Sequence, residues 1–506
     1  MTLQLIILLP LLGGIVAWIS ERRGSSDVRW IALITLAADF ALLLSVWAGH
    51  PAAAGASRVL LDENLPWIPQ LGIGFHLSMD GLSLLMALLT VFLGAIAVLV
   101  SWTEIRERIG AFHFHLLACL TGILGVFLSA DLFLFFVFYE VMLIPMYFLI
   151  VFWGEDAKGR VAAKFVMYTQ AGGLLMLVSI LGLYFAEGSG HTFDYNRLLA
   201  TRAGASSALL MLGFFLAFGV KLPIIPLHGW QAETYSAAPT AGGIILSGLM
   251  AKAGAYGLIR FAIPLFPDAA HRFAPCAMGF GVIAILYGGL LAFSQTDLKR
   301  FIAYSSISHL GFVVLGAFAM NATAYQGVVM QMICHGLSVA GLFILAAVLR
   351  DNAGTNDIER LGGLWHSAPR LGVTGSLLAM ATLGLPGLGN FIGEFLILLG
   401  VYKVSVTYAA IGAFGAVAST IYALWLVQRI FLGPRREGAS IRDISGRSLV
   451  AAAALIAALL WLGLYPQPVL QRAEPSPRAV MGTPASDNSF ELHPRILARA
   501  LELPRE

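Results

Sequence analysis

At 506 residues, with 58% hydrophobic and only 12% charged residues and a mean hydropathy of +0.83, the sequence excludes a soluble globular protein, in which about a quarter of residues are charged. The net charge of +3 is small and its basic residues are scattered over short loops, which excludes nucleic acid as a partner and leaves the lipid bilayer.

Apolar runs of ~17–25 residues, long enough to cross ~30 Å of hydrocarbon as helices, predict an all-α polytopic membrane protein. About fourteen transmembrane helices are expected, near residues 3–20, 30–48, 81–102, 112–129, 131–153, 162–186, 207–228, 238–263, 273–293, 300–319, 324–349, 371–402, 407–431 and 448–466. The first run has no Lys or Arg before it and no clean small-residue cleavage site after it, so it reads as a helix and not a signal peptide. With the N-terminus outside, seventeen Lys and Arg fall in inner loops, Arg22, Lys299 and Arg350 among them. Six (Arg58, Arg197, Arg202, Arg260, Arg272 and Lys403) fall on the other side, so both termini are expected in the periplasm. The tail ending in ELHPRILARALELPRE reads as a short amphipathic surface helix.

Two helices carry breakers in mid-segment. LAFGVKLPIIPLHGW holds Pro223 and Pro226, and ATLGLPGLGNFIGEFLIL holds Pro386 with Gly384, Gly387 and Gly389. Proline removes a backbone donor and clashes with the preceding turn, so both helices should be broken. Broken helices at matching places in two halves point to repeated transporter units with a site near the midplane.

Four ionisable residues lie in these apolar segments: Glu140, Lys221 beside the first break, Lys252, and Glu394 beside the second. An isolated charge at the bilayer centre costs ~2.5–3.5 kcal/mol, so four such groups mark a proton path more readily than static ion pairs. His335 suits a relay because an unperturbed imidazole titrates near 6.5, with His228 and His309, read as nearer helix ends, in support. His113 and His115, at a helix start, read as interfacial. Cys119, Cys276 and Cys334 lack CxxC spacing and read as packing residues, and no metal site, haem pair or nucleotide loop is found. Asp39 reads as a polar contact to a neighbouring chain or helix.

The stretches HLSMDGLSLLM, FFVFYEVMLIPMYFLI, FGVKLPIIPLHGW, AAPTAGGIILSGLMAKAGAYGLIRF, TDLKRFIAYSSISHLGFV, HGLSVAGLFIL and LGLPGLGNFIGEF together resemble the antiporter-like membrane subunits of proton-pumping NADH:quinone oxidoreductase (complex I). These are similar in turn to subunits of multisubunit cation/proton antiporters and membrane-bound hydrogenases, which remain the alternative reading. The resemblance covers nearly the whole chain. It implies two inverted five-helix repeats, at 111–265 (helices four to eight) and 266–432 (helices nine to thirteen), between three N-terminal helices (1–110) and a last helix with its tail (433–506).

By matching position, Glu140, Lys221 and Lys252 resemble the family's helix-five glutamate, helix-seven lysine and helix-eight lysine, and Glu394 its helix-twelve terminal residue. Glutamate there resembles the M-type chains, related to mitochondrial NADH dehydrogenase subunit four, where L- and N-type chains place lysine. The want of long helices after residue 466 also speaks against the L type. The resemblance implies a proton-translocating subunit between L- and N-type neighbours in a bacterial inner membrane, with flavin and iron–sulfur clusters in other subunits and no cofactor in this chain. One stretch departs: after Trp230 the chain reads QAETYSAAPTA, where the family has Leu-Pro-Asp-Ala-His before Ala-Pro-Thr. Glu233 replaces the Asp only in part.

Overall fold

The computed structural model describes residues 1–25, 27–50, 59–155, 157–186, 191–200, 207–432, 434 and 441–473. The expected amphipathic tail lies outside the described residues, as do Arg58, Arg202, Arg435 and Arg436. Twelve helices among the described residues are long and apolar enough to cross a membrane: α1 (Thr2–Arg22), α2 (Val28–Gly49), α3 (Gly81–Glu104), α4 (Ile109–Leu128), α5 (Leu132–Trp153), α6 (Lys158–Ala186), α8 (Thr240–Leu265), α9 (Pro267–Phe293), α10 (Leu298–Ala317), α11 (Ala322–Ala353), α13 (Val406–Leu432) and α14 (Gly446–Leu464). The two proline-bearing segments are interrupted. The first, α7, runs over Ser207–Lys221 and resumes at Gln231–Ala237; the second, α12, runs over Pro369–Thr382 and resumes at Gly389–Tyr402.

The chain is not wholly helical. A two-stranded antiparallel hairpin, β1 (Leu61–Ile68) and β2 (Ile73–Met79), caps one end of the bundle, its turn closed by Gly72 at φ +67°. A side chain there would meet the His191 carbonyl, so glycine is required on two counts. At this end the Met1 amine pairs with Glu63 at 2.5 Å, Arg260 pairs with Asp80, and Arg472 donates to the Trp47 carbonyl at 2.8 Å.

The opposite end is tied by Lys299, which reaches Glu155 Oε1 at 2.6 Å and the Ala238 carbonyl at 3.1 Å. Arg350 pairs with the same carboxylate. Glu104 accepts the first-turn N–H of α8, from Thr240, at 3.0 Å. These contacts join the ends of α3, α5, α8, α10 and α11, so the start of the helix that carries Lys252 is held from three sides.

Small residues let the central helices approach closely. A Cβ on Gly393 would meet the Gln331 backbone at 2.8 Å, one on Gly327 the Gly393 carbonyl at 2.8 Å, and one on Gly400 the Ala324 backbone at 2.5 Å. Glycine on this stripe presses α12 against α11, the packing that membrane helices use in place of a hydrophobic drive. It also sets the register that brings Glu394 beside Gln331.

Three expectations are corrected. Cys276 is exposed, so only Cys119 and Cys334 are packing residues. His113 is fully buried and holds the Ile109 carbonyl at 2.7 Å instead of lying at an interface. His309 lies in the middle of α10 and is fully buried, not near a helix end.

Candidate functional site

The first break frees carbonyls that the surroundings satisfy again. Ile224 N–H is drawn to the Gly219 carbonyl at 2.8 Å, and the Val220 carbonyl takes the indole N–H of Trp230 at 2.9 Å. This repair allows a helix to end at Lys221 within apolar surroundings. Lys221 is 1% exposed, its Nζ lies 4.4 Å from the centre of the Tyr139 ring, and it has no hydrogen-bond partner among the described residues.

Glu140, next to Tyr139 on α5, is half buried, hydrogen-bonds Gln170, and interacts electrostatically with Lys221. Its Oε1 is likewise without a hydrogen-bond partner among the described residues. Lys221 and Glu140 therefore face one another across a gap and do not form a closed ion pair. Gly173 on α6 makes room for the carboxylate, since a Cβ there would collide with Glu140 Oε1.

Lys252 sits on the α-helical turn of α8 (Ala251–Gly257) between two wide π-helical turns, Leu246–Met250 and Leu258–Ala262. Such turns recur at functional sites because they aim a side chain away from the regular repeat. The fully buried Nζ donates to the Ser247 carbonyl at 2.6 Å and meets His335 Nδ1 at 2.7 Å. Gly254, half a turn on, lets α8 pack closely against Phe218 and Leu222 of the first break.

From His335 the arrangement continues. Its ring centre lies 5.7 Å from that of His309, whose Nδ1 is 2.8 Å from Glu394 Oε1 and whose Nε2 is 3.0 Å from the Tyr422 hydroxyl. Gln331 donates to the same Glu394 oxygen at 3.0 Å, and Asn390 to Ser338 Oγ at 3.2 Å. The second break places Glu394: Gly384 and Gly387 adopt φ +76° and +97°, which glycine alone takes freely, and Gly463 of α14 packs on the Gly387 carbonyl.

The structure thus brings Lys252, His335, His309 and Glu394 into one buried row, and sets Lys221 and Glu140 against each other at the first break. Two supporting candidates stand apart. His228, beyond the first break, is half exposed, with its ring centre 6.2 Å from that of Tyr287. Glu233 is partly exposed and pairs with Lys164 at 3.1 Å. Sequence reading missed Gln331, Tyr422 and Tyr139. Gln331 carried a usable signal, one helical turn before His335 on the same face. Among the described residues no group of three or more His, Cys, Asp or Glu could hold a metal ion.

A family model described as NADH:quinone oxidoreductase/Mrp antiporter, TM, matches residues 129–421, more than half of the chain. NADH-quinone oxidoreductase subunit M of Pseudomonas aeruginosa is 48% identical over 485 residues, 93% of this chain and 95% of the relative. The Escherichia coli K12 protein of the same name is 47% identical over 486 residues, 93% and 96% respectively. Among solved structures, a chain of respiratory complex I from Thermus thermophilus superposes with a TM-score of 0.86 at 31% identity, covering 96% of this chain and 100% of that one. A chain of the Mrp complex from Dietzia shares the fold, with a TM-score of 0.82 at 23% identity over 99% of this chain and 55% of that one. With these likenesses running nearly end to end, the chain belongs to the antiporter-like membrane subunits of NADH:quinone oxidoreductase, among the M-type chains.

Proposed function

We propose that this subunit carries protons across the membrane along the buried row, coupled to electron transfer in partner subunits of NADH:quinone oxidoreductase that hold flavin and iron–sulfur clusters. The observation that carries the proposal is the hydrogen-bonded sequence of titratable groups Lys252–His335 and His309–Glu394, with two imidazoles 5.7 Å apart between its ends. In this reading Lys221 takes up the proton, Glu140 modulates Lys221, Lys252 and His335 relay, and Glu394 passes the proton toward the exit. His228 and Glu233 serve in support, at the approach to the break.

Two inverted repeats, 111–265 and 266–432, fit the pairing of breaks with partners. Lys221 on α7 faces Glu140 on α5, and Glu394 on α12 faces His309 on α10, so each break meets a titratable group on the helix two before it. L- and N-type chains flank the subunit in this reading. The chain sits in the bacterial inner membrane with the hairpin end in the periplasm, in keeping with the Lys/Arg excess at the Lys299 end.

The energies are of the right size. A Glu–Lys pair at ~4 Å and an effective dielectric near 20 interacts by about 4 kcal/mol. Moving one proton against ~150 mV costs about 3.5 kcal/mol. Closing the gap between Glu140 and Lys221 therefore supplies a change comparable with one translocation step.

Lys221→Ala in the intact complex tests this, with native gels for assembly, NADH-to-quinone turnover, and proton uptake into sealed vesicles. The expected outcome is an assembled complex in which turnover and pumping fall together. Normal turnover and pumping would reject the relay in favour of a structural lysine.

A further inference from the structure

Both ring nitrogens of His309 are engaged by side chains, Nδ1 by Glu394 Oε1 at 2.8 Å and Nε2 by the Tyr422 hydroxyl at 3.0 Å. The same Glu394 oxygen takes an amide N–H of Gln331 at 3.0 Å, so it acts as an acceptor and His309 carries its proton on Nδ1. A neutral imidazole with Nδ1–H has only a lone pair at Nε2. In this arrangement the Tyr422 hydroxyl therefore donates to it.

Taking the row proposed above as the proton path, His309 cannot stay in that arrangement. A proton reaching it gives an imidazolium with N–H at both nitrogens. When Nδ1–H then passes to the Glu394 carboxylate, the products are a carboxylic acid and a neutral imidazole that keeps its proton on Nε2. In both of these states Nε2 is a donor, and the hydroxyl that donated to it must accept. Unless the hydroxyl hydrogen has somewhere else to go, two hydrogens meet across a buried contact.

Ser308, next to His309 on α10, supplies that place. Its side chain hydrogen-bonds the Tyr422 hydroxyl, and its own Oγ–H is spent on the Ile285 carbonyl at 2.8 Å, which leaves the oxygen able to accept. Gly289 of α9 faces both groups: a Cβ there would lie 3.5 Å from the Tyr422 ring and 3.7 Å from Ser308 Oγ. The Tyr422 ring is itself fixed, being 1% exposed and packed edge-on against Phe301 at 5.7 Å. Only the hydroxyl hydrogen has to move, by turning about the C–O bond. We propose that Tyr422 is a positioning residue for the proton step at His309: it turns its hydroxyl between His309 Nε2 and Ser308 Oγ, and so satisfies the imidazole both before and after Nδ1–H passes to Glu394.

Tyr422→Phe and Ser308→Ala in the intact complex test this, each measured for assembly on native gels, NADH-to-quinone turnover and vesicle proton uptake, in H2O and in D2O. Tyr422→Phe should lower turnover and pumping together by on the order of tenfold, the loss of one hydrogen bond to a charged group. Ser308→Ala, which leaves Tyr422 in place and removes only its second acceptor, should lower them by about threefold. The double variant should be no slower than Tyr422→Phe, because Ser308 acts through the hydroxyl. In both single variants the solvent isotope effect on turnover should rise above the wild-type value, since the step at His309 becomes limiting; a packing role would leave it unchanged. Wild-type turnover in both variants, an unchanged isotope effect, or losses that multiply in the double variant would overturn the proposal. Ser308→Ala decides alone if Tyr422→Phe does not assemble. Lys221→Ala judges the row separately: pumping lost there with wild-type rates here removes Tyr422 and leaves the row standing, whereas normal pumping in Lys221→Ala removes both.

Discussion

His309 and Glu394 meet at 2.8 Å from Nδ1 to Oε1, on helices that both run through the buried centre of the bundle. The same Glu394 oxygen takes a second hydrogen bond from Gln331, and the far nitrogen of His309 is engaged by Tyr422. At the other break the corresponding charges, Lys221 and Glu140, are held apart. The two breaks therefore differ: Glu394 is hydrogen-bonded to His309, whereas Lys221 Nζ and Glu140 Oε1 have no hydrogen-bond partner among the described residues.

Glu394→Gln keeps the shape of this contact and removes its charge. A hydrogen bond to a charged group contributes ~1.5–3 kcal/mol, so an equilibrium that depends on it shifts by on the order of 10-fold or more. The expected result is normal assembly with proton pumping and quinone-linked turnover lowered by about that factor. Proton uptake measured in vesicles alongside NADH oxidation checks it, and wild-type pumping in the variant would remove Glu394 from the path.

His335→Ala takes away the group that faces Lys252 Nζ and leaves the Lys252 amine with only the Ser247 carbonyl. A fully buried charge losing a partner destabilises by ~3–5 kcal/mol when it stays ionised. The variant is expected to lower the thermal midpoint of the complex and to block pumping. His335→Gln, which can still accept from Nζ but cannot carry a proton, should recover the midpoint and not the pumping. Recovery of pumping by glutamine would make His335 a packing residue.

Both breaks were legible in the sequence because proline and glycine impose backbone limits that no tertiary contact can hide, as at Pro223, Pro226, Pro386 and Gly387. The buried lysines and glutamates were legible because lipid makes charge costly. His309 was under-read because sequence position does not reveal depth along a helix or the neighbour across it. Its worth comes from Glu394, distant in the chain and brought close by the glycine stripe of α11 and α12. The hairpin was missed because β1 is mostly exposed and interrupted by Pro66, so its alternation is weak beside the long apolar runs around it. Trp230 as the partner of a freed carbonyl has no sequence signature.

Outside the membrane-spanning segments, His76 of β2 lies between Asp194, 2.6 Å from Nδ1, and Asp62, 3.0 Å from Nε2. The Asp194 hydrogen bond, with help from Asp62 and against burial, raises His76 above its ordinary 6.5. Burial pushes Asp194 up, but the His76 hydrogen bond and the Arg197 N–H hold it below its ordinary 3.8. The histidine's contribution to stability is complete below pH 6.5 and is lost as pH rises through the higher folded value. That of Asp194 is complete above 3.8 and lost as pH falls through the lower one. The hairpin should therefore be held most firmly between these limits and loosen first on the alkaline side. Hydrogen exchange over 61–79 should quicken at high pH beyond the intrinsic chemical rate, and His76→Gln should erase that excess. Equal excess in both proteins would refute the lock.

Asp39 offers the opposite case, a buried carboxylate without a hydrogen-bond partner among the described residues. It is 0% exposed on α2, and neither of its oxygens has a hydrogen-bond partner among the described residues. Removing a buried polar group that lacks a partner is neutral or stabilising by ~1–3 kcal/mol, since its desolvation penalty disappears with it. Asp39→Leu is accordingly expected to hold or raise the thermal midpoint of the complex and to leave turnover and pumping at wild-type levels. Native gels and thermal unfolding of the purified complex check the first part, and vesicle assays the second. If Asp39→Leu instead loses assembly while the isosteric Asp39→Asn keeps it, a polar group is needed at this buried position, and since Asp39 is 0% exposed that need lies within the chain and not at a neighbouring one. If both assemble and pumping falls, Asp39 belongs to a proton path separate from the row through Lys252.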